Sequence, residues 1–237
     1  METIYTIPVN ESFSAVAEDK SLGCPVCRLY NKLEEDELER ILGAAMMEPD
    51  VRIETNERGF CDKHFDRMYK KKNRLGLALM LESHLDEVIK KASGKGIGAL
   101  KGGPAAESVR RLTRLEHSCY ICERIEMHLS HMIETILFLY ESDRDFRRSF
   151  AEIPFFCLPH YRTLVEVGMH KMPKKAYKEF YSEIARKEDD ALTELRKDVS
   201  WFCKKFDYRY DEEPWYNAKD AVERAIRLLS GASGESK

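Results

Sequence analysis

The amino-acid sequence predicts an all-α protein made of two duplicated helical units, each clipped by a Cys3His metal site, with a C-terminal helical extension. Apolar residues recur at the three- and four-residue intervals of one helix face through much of the 237-residue chain. A pattern of three cysteines and one histidine occurs twice. Gly and Pro are few outside one short stretch, and 34% of the residues are charged, which is typical of a helical protein with a solvated surface.

The duplication is visible when the chain is compared with itself. A displacement of 95 residues superposes the two CxxC pairs, and a displacement of 96 superposes the two CxxH pairs, so one residue has been inserted between them. At these displacements Arg52 falls on Arg147 and Phe60 falls on Phe156. A repeat of this length indicates duplication of a supersecondary unit rather than a short solenoid repeat.

Each unit is predicted to contain a long helix that follows its CxxC pair. The apolar face of this helix comprises Ile125, Leu129, Met132, Ile133, Ile136 and Tyr140 in the second unit and, less regularly, Tyr30, Leu33, Leu38, Ile41, Leu42 and Ala45 in the first. Pro49 and Asp143 mark breaks, after which a short helix is expected, and each CxxH pair opens a further helix. A long charged helix from about Lys174 to Phe206 and a terminal helix from Ala218 to Leu229 follow.

These elements divide the chain into a first unit over residues 1–93, a second unit over 105–206 and an extension over 207–237. Residues 94–104 contain five glycines and are predicted to form a flexible linker between the units. The glycines loosely match a dinucleotide-binding fingerprint, but that motif needs a preceding strand, and here a helix is expected before it.

The cysteine and histidine sets predict two metal sites, one in each unit. The first set is Cys24, Cys27, Cys61 and His64, and the second set is Cys119, Cys122, Cys157 and His160. Three thiolates and one imidazole complete a tetrahedral zinc shell, so we expect two zinc ions per chain. An iron–sulfur cluster bound by three cysteines and one histidine is the alternative. A c-type haem site would need a histidine directly after each CxxC pair, where Arg28 and Glu123 stand.

A shell of four protein ligands leaves no position for water or substrate, so the sites are interpreted as structural staples rather than as catalytic or sensing centres. The sequence contains no GxSxG, P-loop or HExxH motif and no convincing acid–base pair of carboxylates. We therefore expect a protein that is not an enzyme, with no catalytic residue to assign.

Three further groups of residues each allow a functional and a structural interpretation. His128, His131 and Glu134 lie along one helix face and could form half of another metal site, but a polar face is favoured because the first unit does not repeat them. The basic residues between Arg67 and Arg74 could contact phosphate groups, and a solvated helix face is the favoured interpretation. Cys203 has no partner in the pattern and is predicted to be a buried thiol.

The chain carries 39 basic and 42 acidic residues, a balance that argues against a dedicated binder of nucleic acid or of anionic membranes. The segment from Met1 to Pro8 shows no basic region followed by an apolar run of signal length. No segment approaches the ~20 apolar residues that span a bilayer. We expect a cytoplasmic protein, because thiols stay reduced there and cysteines serve as metal ligands before they form disulfides.

The runs Cys24 to Leu29 and Gly59 to His64, with the opening Ile4 to Val9, resemble an uncharacterised bacterial family, a domain of unknown function found largely in clostridia and their relatives. The resemblance covers most of the chain and implies a bacterial, mostly helical protein with no established activity. It carries over no functional residue beyond the cysteine and histidine positions. The second unit departs from the motif, because Tyr120 stands in the place of Pro25.

The sequence leads to one main functional hypothesis and two alternatives. The main hypothesis is a non-enzymatic zinc protein that presents a helical surface to a protein partner, as a scaffold or a regulator. The first alternative is a thiol- or metal-based redox sensor or redox protein, because zinc-bound thiolates can be oxidised with release of the ion. The second alternative, which is not favoured, is a zinc module that binds nucleic acid. Self-association into a homo-oligomer is compatible with all three.

Overall fold

A computed structural model describes residues 3–93 and 102–231 of the chain. Within these ranges the chain forms eleven α-helices and no strand, which confirms the predicted all-α class. The helices are α1 Thr6–Glu18, α2 Pro25–Leu42, α3 Pro49–Arg58, α4 Asp62–Lys70, α5 Arg74–Ala92, α6 Gly103–Glu116, α7 Tyr120–Ser142, α8 Arg144–Glu152, α9 Leu158–Lys171, α10 Lys174–Lys204 and α11 Ala221–Ser230. None of them has the length and apolar character that crossing a bilayer requires.

The two predicted breaks are present and follow from local backbone chemistry. Pro49 occupies the first turn of α3, where its missing N–H has no intrahelical acceptor to lose. Asp143 caps α8, because its carboxylate accepts hydrogen bonds from the backbone N–H groups of Asp145 and Phe146 at 2.8 and 3.1 Å. Each break lies between a long helix and the short helix that leads to a CxxH pair, and in the first repeat a 3-10 helix, Ala44–Met47, also lies between them.

The chain folds into two compact units that differ from the predicted division. The discontinuous unit comprises residues 1–31 and 129–237, and the continuous unit comprises residues 32–128. The unit boundaries fall inside α2 and α7, whereas the sequence placed a boundary in the glycine-rich stretch. Residues 94–101 of the predicted linker and the tail from 232 onwards lie outside the described residues, and α6 begins at Gly103.

The core of the discontinuous unit is largely aromatic. Phe13 of α1 lies with its ring centroid 4.8 Å from that of Phe146 on α8. Tyr140 makes edge-on contacts with Phe150 and Phe180 at centroid distances of 4.9 and 5.2 Å. Such pairs add to the free energy of simple apolar burial by about 0.5–1.5 kcal/mol each. In this unit α1 packs against α8, and α9 packs against α10 and α11.

The core of the continuous unit is aliphatic and sulfur-rich. Leu38 and Ile41 of α2, Met68 of α4, and Leu77 and Met80 of α5 are all buried. The helix α5 packs against α3, α4 and α6 and is therefore central to this unit. Part of its surface is left uncovered, because Leu75, Leu85 and Ile89 are exposed.

Equivalent contacts in the two units support the internal duplication. The ammonium group of Lys91 donates to the backbone carbonyl of Glu57 at 2.7 Å. Lys187 lies 96 residues after Lys91 and donates at 3.0 Å to the carbonyl of Ile153, which lies 96 residues after Glu57. The same displacement relates the two CxxH pairs, so each repeat retains a lysine that ties its last helix to the end of the preceding short helix.

Candidate metal centres

Each CxxC or CxxH pair lies at the start of a helix. Cys61 and Cys157 are the N-cap residues of α4 and α9, and Cys24 and Cys119 stand immediately before α2 and α7. The second member of each pair therefore lies in the first helical turn. Unpaired backbone N–H groups and the helix dipole at such positions favour the thiolate form of cysteine, which is the form that binds metals.

The structure combines these four pairs into two clusters whose members differ from the predicted sets. The Cys24 cluster consists of Cys24, Cys27, Cys157 and His160. The Cys61 cluster consists of Cys61, His64, Cys119 and Cys122. The predicted pairing of CxxC with CxxH inside one repeat is therefore wrong, since each cluster takes its CxxC pair from one repeat and its CxxH pair from the other. The discontinuous unit contains the whole Cys24 cluster, and the continuous unit contains the whole Cys61 cluster.

The exchange accompanies the division of α2 between the two compact units. Cys24 and Cys27 belong to the discontinuous unit, whereas Glu34, ten residues after Cys24, contacts His64 inside the continuous unit. The donor atoms of one cluster lie within 4.8 Å of one another. The CxxC and CxxH pairs of the first repeat therefore belong to different units and to different clusters.

In the Cys24 cluster the donor atoms surround a single point. The Nδ1 atom of His160 lies 3.7 Å from the sulfur of Cys24, 3.4 Å from that of Cys27 and 3.1 Å from that of Cys157. The sulfurs of Cys27 and Cys157 are 3.4 Å apart. Tetrahedral zinc with its usual bond lengths places sulfur and nitrogen ligands about 3.6 Å apart and two sulfurs about 3.8 Å apart. These donors therefore fit one zinc ion with small adjustments.

The Cys61 cluster has nearly the same dimensions. The Nδ1 atom of His64 lies 3.2 Å from the sulfurs of Cys61 and Cys119 and 3.4 Å from that of Cys122. The sulfurs of Cys61 and Cys122 are 3.9 Å apart. One four-coordinate ion fits this cluster as well, and its ligands come from the starts of α4 and α7.

A buried carboxylate orients the histidine of the Cys61 cluster. The Nε2–H group of His64 donates to Glu34 at 3.1 Å, which leaves the Nδ1 atom to face the three sulfurs. Glu34 has no exposed surface, and it is held by Lys63 at 2.9 Å and by Arg67. Metal-binding histidines commonly have such a carboxylate behind them, because it fixes the ring and raises its basicity. The position that matches Glu34 in the second repeat is Leu129, so the Cys24 cluster has no matching carboxylate.

The protonation equilibria of the Cys61 cluster place negative charge on the sulfur of Cys119, whereas hydrogen bonding with Cys119 raises the pKa of Cys122. Burial would raise the pKa of Glu34, but hydrogen bonds from His64 and Lys63 lower it to about 2. Burial would lower the pKa of His64, whereas contacts with Cys119 and Glu34 raise it to about 9. Hydrogen bonding with Cys122, followed by that with His64, lowers the pKa of Cys119 to about 3. A divalent cation would take the place of the imidazole proton among these anionic groups.

Backbone contacts join the two chain segments that build the Cys61 cluster. The carbonyl of Gly59, two residues before Cys61, accepts a hydrogen bond from the backbone N–H of Tyr120 at 3.0 Å. The hydroxyl of Ser118 donates to the carbonyl of Arg58 at 2.6 Å. Pro25, which matches Tyr120 in the first repeat, has no N–H to donate. The departure of the second repeat from the CPxC pattern therefore supplies a hydrogen bond that proline could not make.

Other buried polar contacts lie beside the Cys24 cluster. The hydroxyl of Ser12 donates to the carbonyl of Pro25 at 2.8 Å, which ties α1 to the CxxC turn. The backbone N–H of Phe156, next to Cys157, donates to Glu188 of α10 at 3.4 Å. Burial raises the pKa of Glu188 to about 7, although this hydrogen bond opposes the shift. These contacts position both halves of the cluster from neighbouring helices.

The C-terminal helix also reaches the Cys24 cluster. Gly231 ends α11 with a φ of +84°, and a Cβ atom added there would lie 3.5 Å from the sulfur of Cys157 and 3.7 Å from that of Cys27. The backbone at the end of α11 therefore covers two of the sulfurs. Nothing in the sequence indicated this role for the C-terminal extension.

The role of Glu34 behind His64 was also not predicted. The available signal was a charged residue inside the apolar face of α2, at a position where the second repeat has leucine.

The remaining candidates have other roles in the described part of the chain. His131 stacks on Tyr5 with ring centroids 5.4 Å apart, and Glu134 pairs with Lys171 at 3.0 Å. Among the described residues, neither side chain belongs to one of the two potential metal clusters. Cys203 is exposed, so its prediction as a buried thiol is wrong.

The basic residues that follow the first CxxH pair are largely engaged with acidic side chains. Arg67 contacts Glu34 and Glu35, and Lys71 contacts Glu35 and Glu39. Further along, Lys70 pairs with Asp66 at 2.7 Å. Phosphate binding would have to compete with these ion pairs, so the arrangement does not favour the nucleic-acid alternative.

Comparison with known proteins identifies the family. The chain belongs to a family of unknown function, DUF6062, whose model matches residues 1–236. This confirms the resemblance to an uncharacterised domain family that the sequence motifs indicated. No curated protein and no solved structure matches the chain.

Proposed function

We propose that the protein is a non-enzymatic zinc protein in which one ion in each cluster fastens distant helices together, and whose helical surface serves a protein partner. The observation that carries the proposal is the pair of four-ligand clusters, each with donor atoms within 4.8 Å of one another. A Cys3His shell uses all four positions of tetrahedral zinc, so its ordinary role is structural.

The sequence separation within each cluster supports a structural role. Cys27 and Cys157 are 130 residues apart, and Cys61 and Cys122 are 61 residues apart. Closure entropy rises by about 0.6 kcal/mol for each doubling of the loop. A 130-residue loop therefore costs roughly 1 kcal/mol more to close than the 34-residue loop of the predicted pairing. Structural zinc contributes on the order of 10–16 kcal/mol of apparent binding free energy, which is ample for both clusters.

The donor spacing favours zinc over an iron–sulfur cluster. Sulfur pairs at 3.4 and 3.9 Å suit ligands that share a single ion. In a two-iron or four-iron cluster, ligands on different iron atoms stand further apart than the 4.8 Å within which all four donor atoms of each cluster lie. Nitrogen and sulfur donors in tetrahedral array are also the set that zinc prefers.

The partner hypothesis is supported by an uncovered face of α5. Leu75, Leu85 and Ile89 project from one side of this helix and are 71%, 56% and 67% exposed. Large side chains exposed together on one helix face are typical of interaction surfaces. The surrounding helices carry many charges, which suits a protein that stays dispersed until a partner covers this face.

Metal analysis of the purified chain tests the proposal. We expect two zinc ions per chain and no visible absorption band. Removal of zinc with a strong chelator should lower the melting temperature by at least about 10 °C, because the lost binding energy is comparable with the whole stability of a domain. Circular dichroism at 222 nm would follow the transition, and zinc re-addition is the control for reversibility. Full helicity and an unchanged melting temperature without metal would contradict the proposal.

A further inference from the structure

The two clusters differ in how far their cysteine residues are exposed to solvent. In the Cys24 cluster the three cysteines are 5%, 4% and 0% exposed. In the Cys61 cluster Cys119 is 5% exposed, but Cys61 is half-buried and Cys122 is exposed. The Cys61 cluster is therefore the one that a reagent in solution reaches with less opening of the fold.

Neighbouring parts of the chain shield the cysteines of the Cys24 cluster from solvent. The end of α11 lies against the sulfurs of Cys27 and Cys157, as the position of Gly231 shows. Cys24 is buried and stands in the turn that precedes α2. A reagent would have to displace α11 or open this turn before it reached these sulfurs, which requires local unfolding.

We propose that the Cys61 cluster is a site of reaction with hydroperoxides, in which Cys122 is the attacking thiolate and Cys61 is its disulfide partner. The inference rests on the proposed function, because zinc is what holds these cysteines as thiolates. The two sulfurs are 3.9 Å apart and belong to the two less buried cysteines of the cluster. Reactivity of a thiolate follows its exposure, and Cys122 is the more exposed residue of the two.

Hydrogen peroxide is the oxidant in this reaction. The Cys122 thiolate attacks one peroxide oxygen, the O–O bond breaks, and hydroxide leaves as a sulfenic acid forms. The Cys61 thiolate then attacks the Cys122 sulfur, the S–O bond breaks, and a second hydroxide leaves as the disulfide forms. Two electrons pass from the thiolates to the peroxide, two protons from solvent convert the hydroxides to water, and the zinc ion loses two of its four ligands. The ion is released as a result.

The test uses the full zinc-loaded chain in a Cys203→Ser background, because Cys203 is an exposed thiol outside both clusters. Zinc content is measured first, and hydrogen peroxide is then added in small steps while a chelating dye reports released zinc. Peptide mass spectrometry identifies the oxidised cysteines. We expect release of one zinc ion per chain, a disulfide between Cys61 and Cys122, and oxidation of the Cys24 cluster at least 10-fold more slowly.

A second variant separates reactivity from metal binding. In Cys122→His the attacking thiolate is replaced by an imidazole that can also bind zinc; zinc content is measured first, and for the zinc that is bound at the Cys61 cluster we expect at least 10-fold slower release with peroxide. Release of both ions at the same rate, first oxidation within the Cys24 cluster, or a disulfide between Cys119 and Cys122 would overturn the inference. A chain that binds no zinc before peroxide is added would instead overturn the proposed function, and this inference with it.

Discussion

The carboxylate of Glu34 reaches His64 from the middle of α2 and has no exposed surface. It accepts from the imidazole, and Lys63 and Arg67 neutralise its charge. The matching residue of the second repeat is leucine, so two cysteine and histidine sets of the same composition have different surroundings. At the scale of single residues, the zinc affinities of the two clusters are therefore expected to differ.

Substitution of this carboxylate should weaken one zinc ion selectively. In Glu34→Gln the side chain keeps an acceptor for His64 but loses its negative charge, and we expect 10- to 100-fold weaker zinc binding at the Cys61 cluster. Competition with a chelator of known affinity would resolve the weaker ion from the unchanged one. Glu35→Gln is the matched control, because Glu35 also pairs with Arg67 but contacts no cluster residue. Equal affinities in both variants and the parent chain would refute the role of Glu34.

At the scale of elements, the turn between α3 and α4 places the CxxH pair of the Cys61 cluster. Gly59 adopts a φ of +63° there, and its carbonyl accepts from Tyr120. A Cβ atom at Gly59 would lie 3.0 Å from both His84 and Leu115. The position therefore requires glycine for its backbone angle and for its close neighbours, and the turn cannot shift without moving Cys61.

Gly59→Ala should consequently lower the free energy of unfolding by about 2–4 kcal/mol, the sum of backbone strain and overpacking. Gly103→Ala is the control, because Gly103 also has a positive φ, of +82°, but an added Cβ atom meets nothing within 4 Å. The control should cost only about 1–2 kcal/mol. Urea denaturation of the two variants and the parent chain would measure both values. Equal destabilisation would show that contacts at His84 and Leu115 play no part.

At the scale of the whole molecule, the exchange of CxxC pairs between the repeats decides how the chain is held together. Each compact unit contains one complete cluster, and each cluster draws on both repeats. A metal ion that joined only one repeat to itself would leave the two repeats free to fold separately. The observed combination makes the ligands of either ion depend on both repeats, so loss of either repeat is expected to leave neither cluster complete.

Paired substitutions test this arrangement by counting zinc ions. Cys24→Ser with Cys157→Ser removes two ligands of one cluster, and we expect one zinc ion to remain. Cys24→Ser with Cys61→Ser removes one ligand from each cluster, and we expect the loss of both ions or a marked weakening of both. Elemental analysis after gel filtration would give the counts. The reverse result, with one ion kept in the second variant and none in the first, would restore the pairing within each repeat.

The helical class, the duplication and the eight candidate ligands could all be predicted from the sequence. Periodicity and motif spacing can be read along the chain without knowing how it folds. The sequence also located the breaks at Pro49 and Asp143, where capping is decided by neighbouring residues. Which pairs meet could be read from the three-dimensional structure alone. Ligand pairing depends on which distant segments pack together, and α2 is divided between two compact units, one with Cys24 and the other with the contact between Glu34 and His64. The hydrogen bond between Glu34 and His64 and the position of Gly231 against the cluster sulfurs also join residues that are far apart in sequence. No local pattern could therefore predict these contacts.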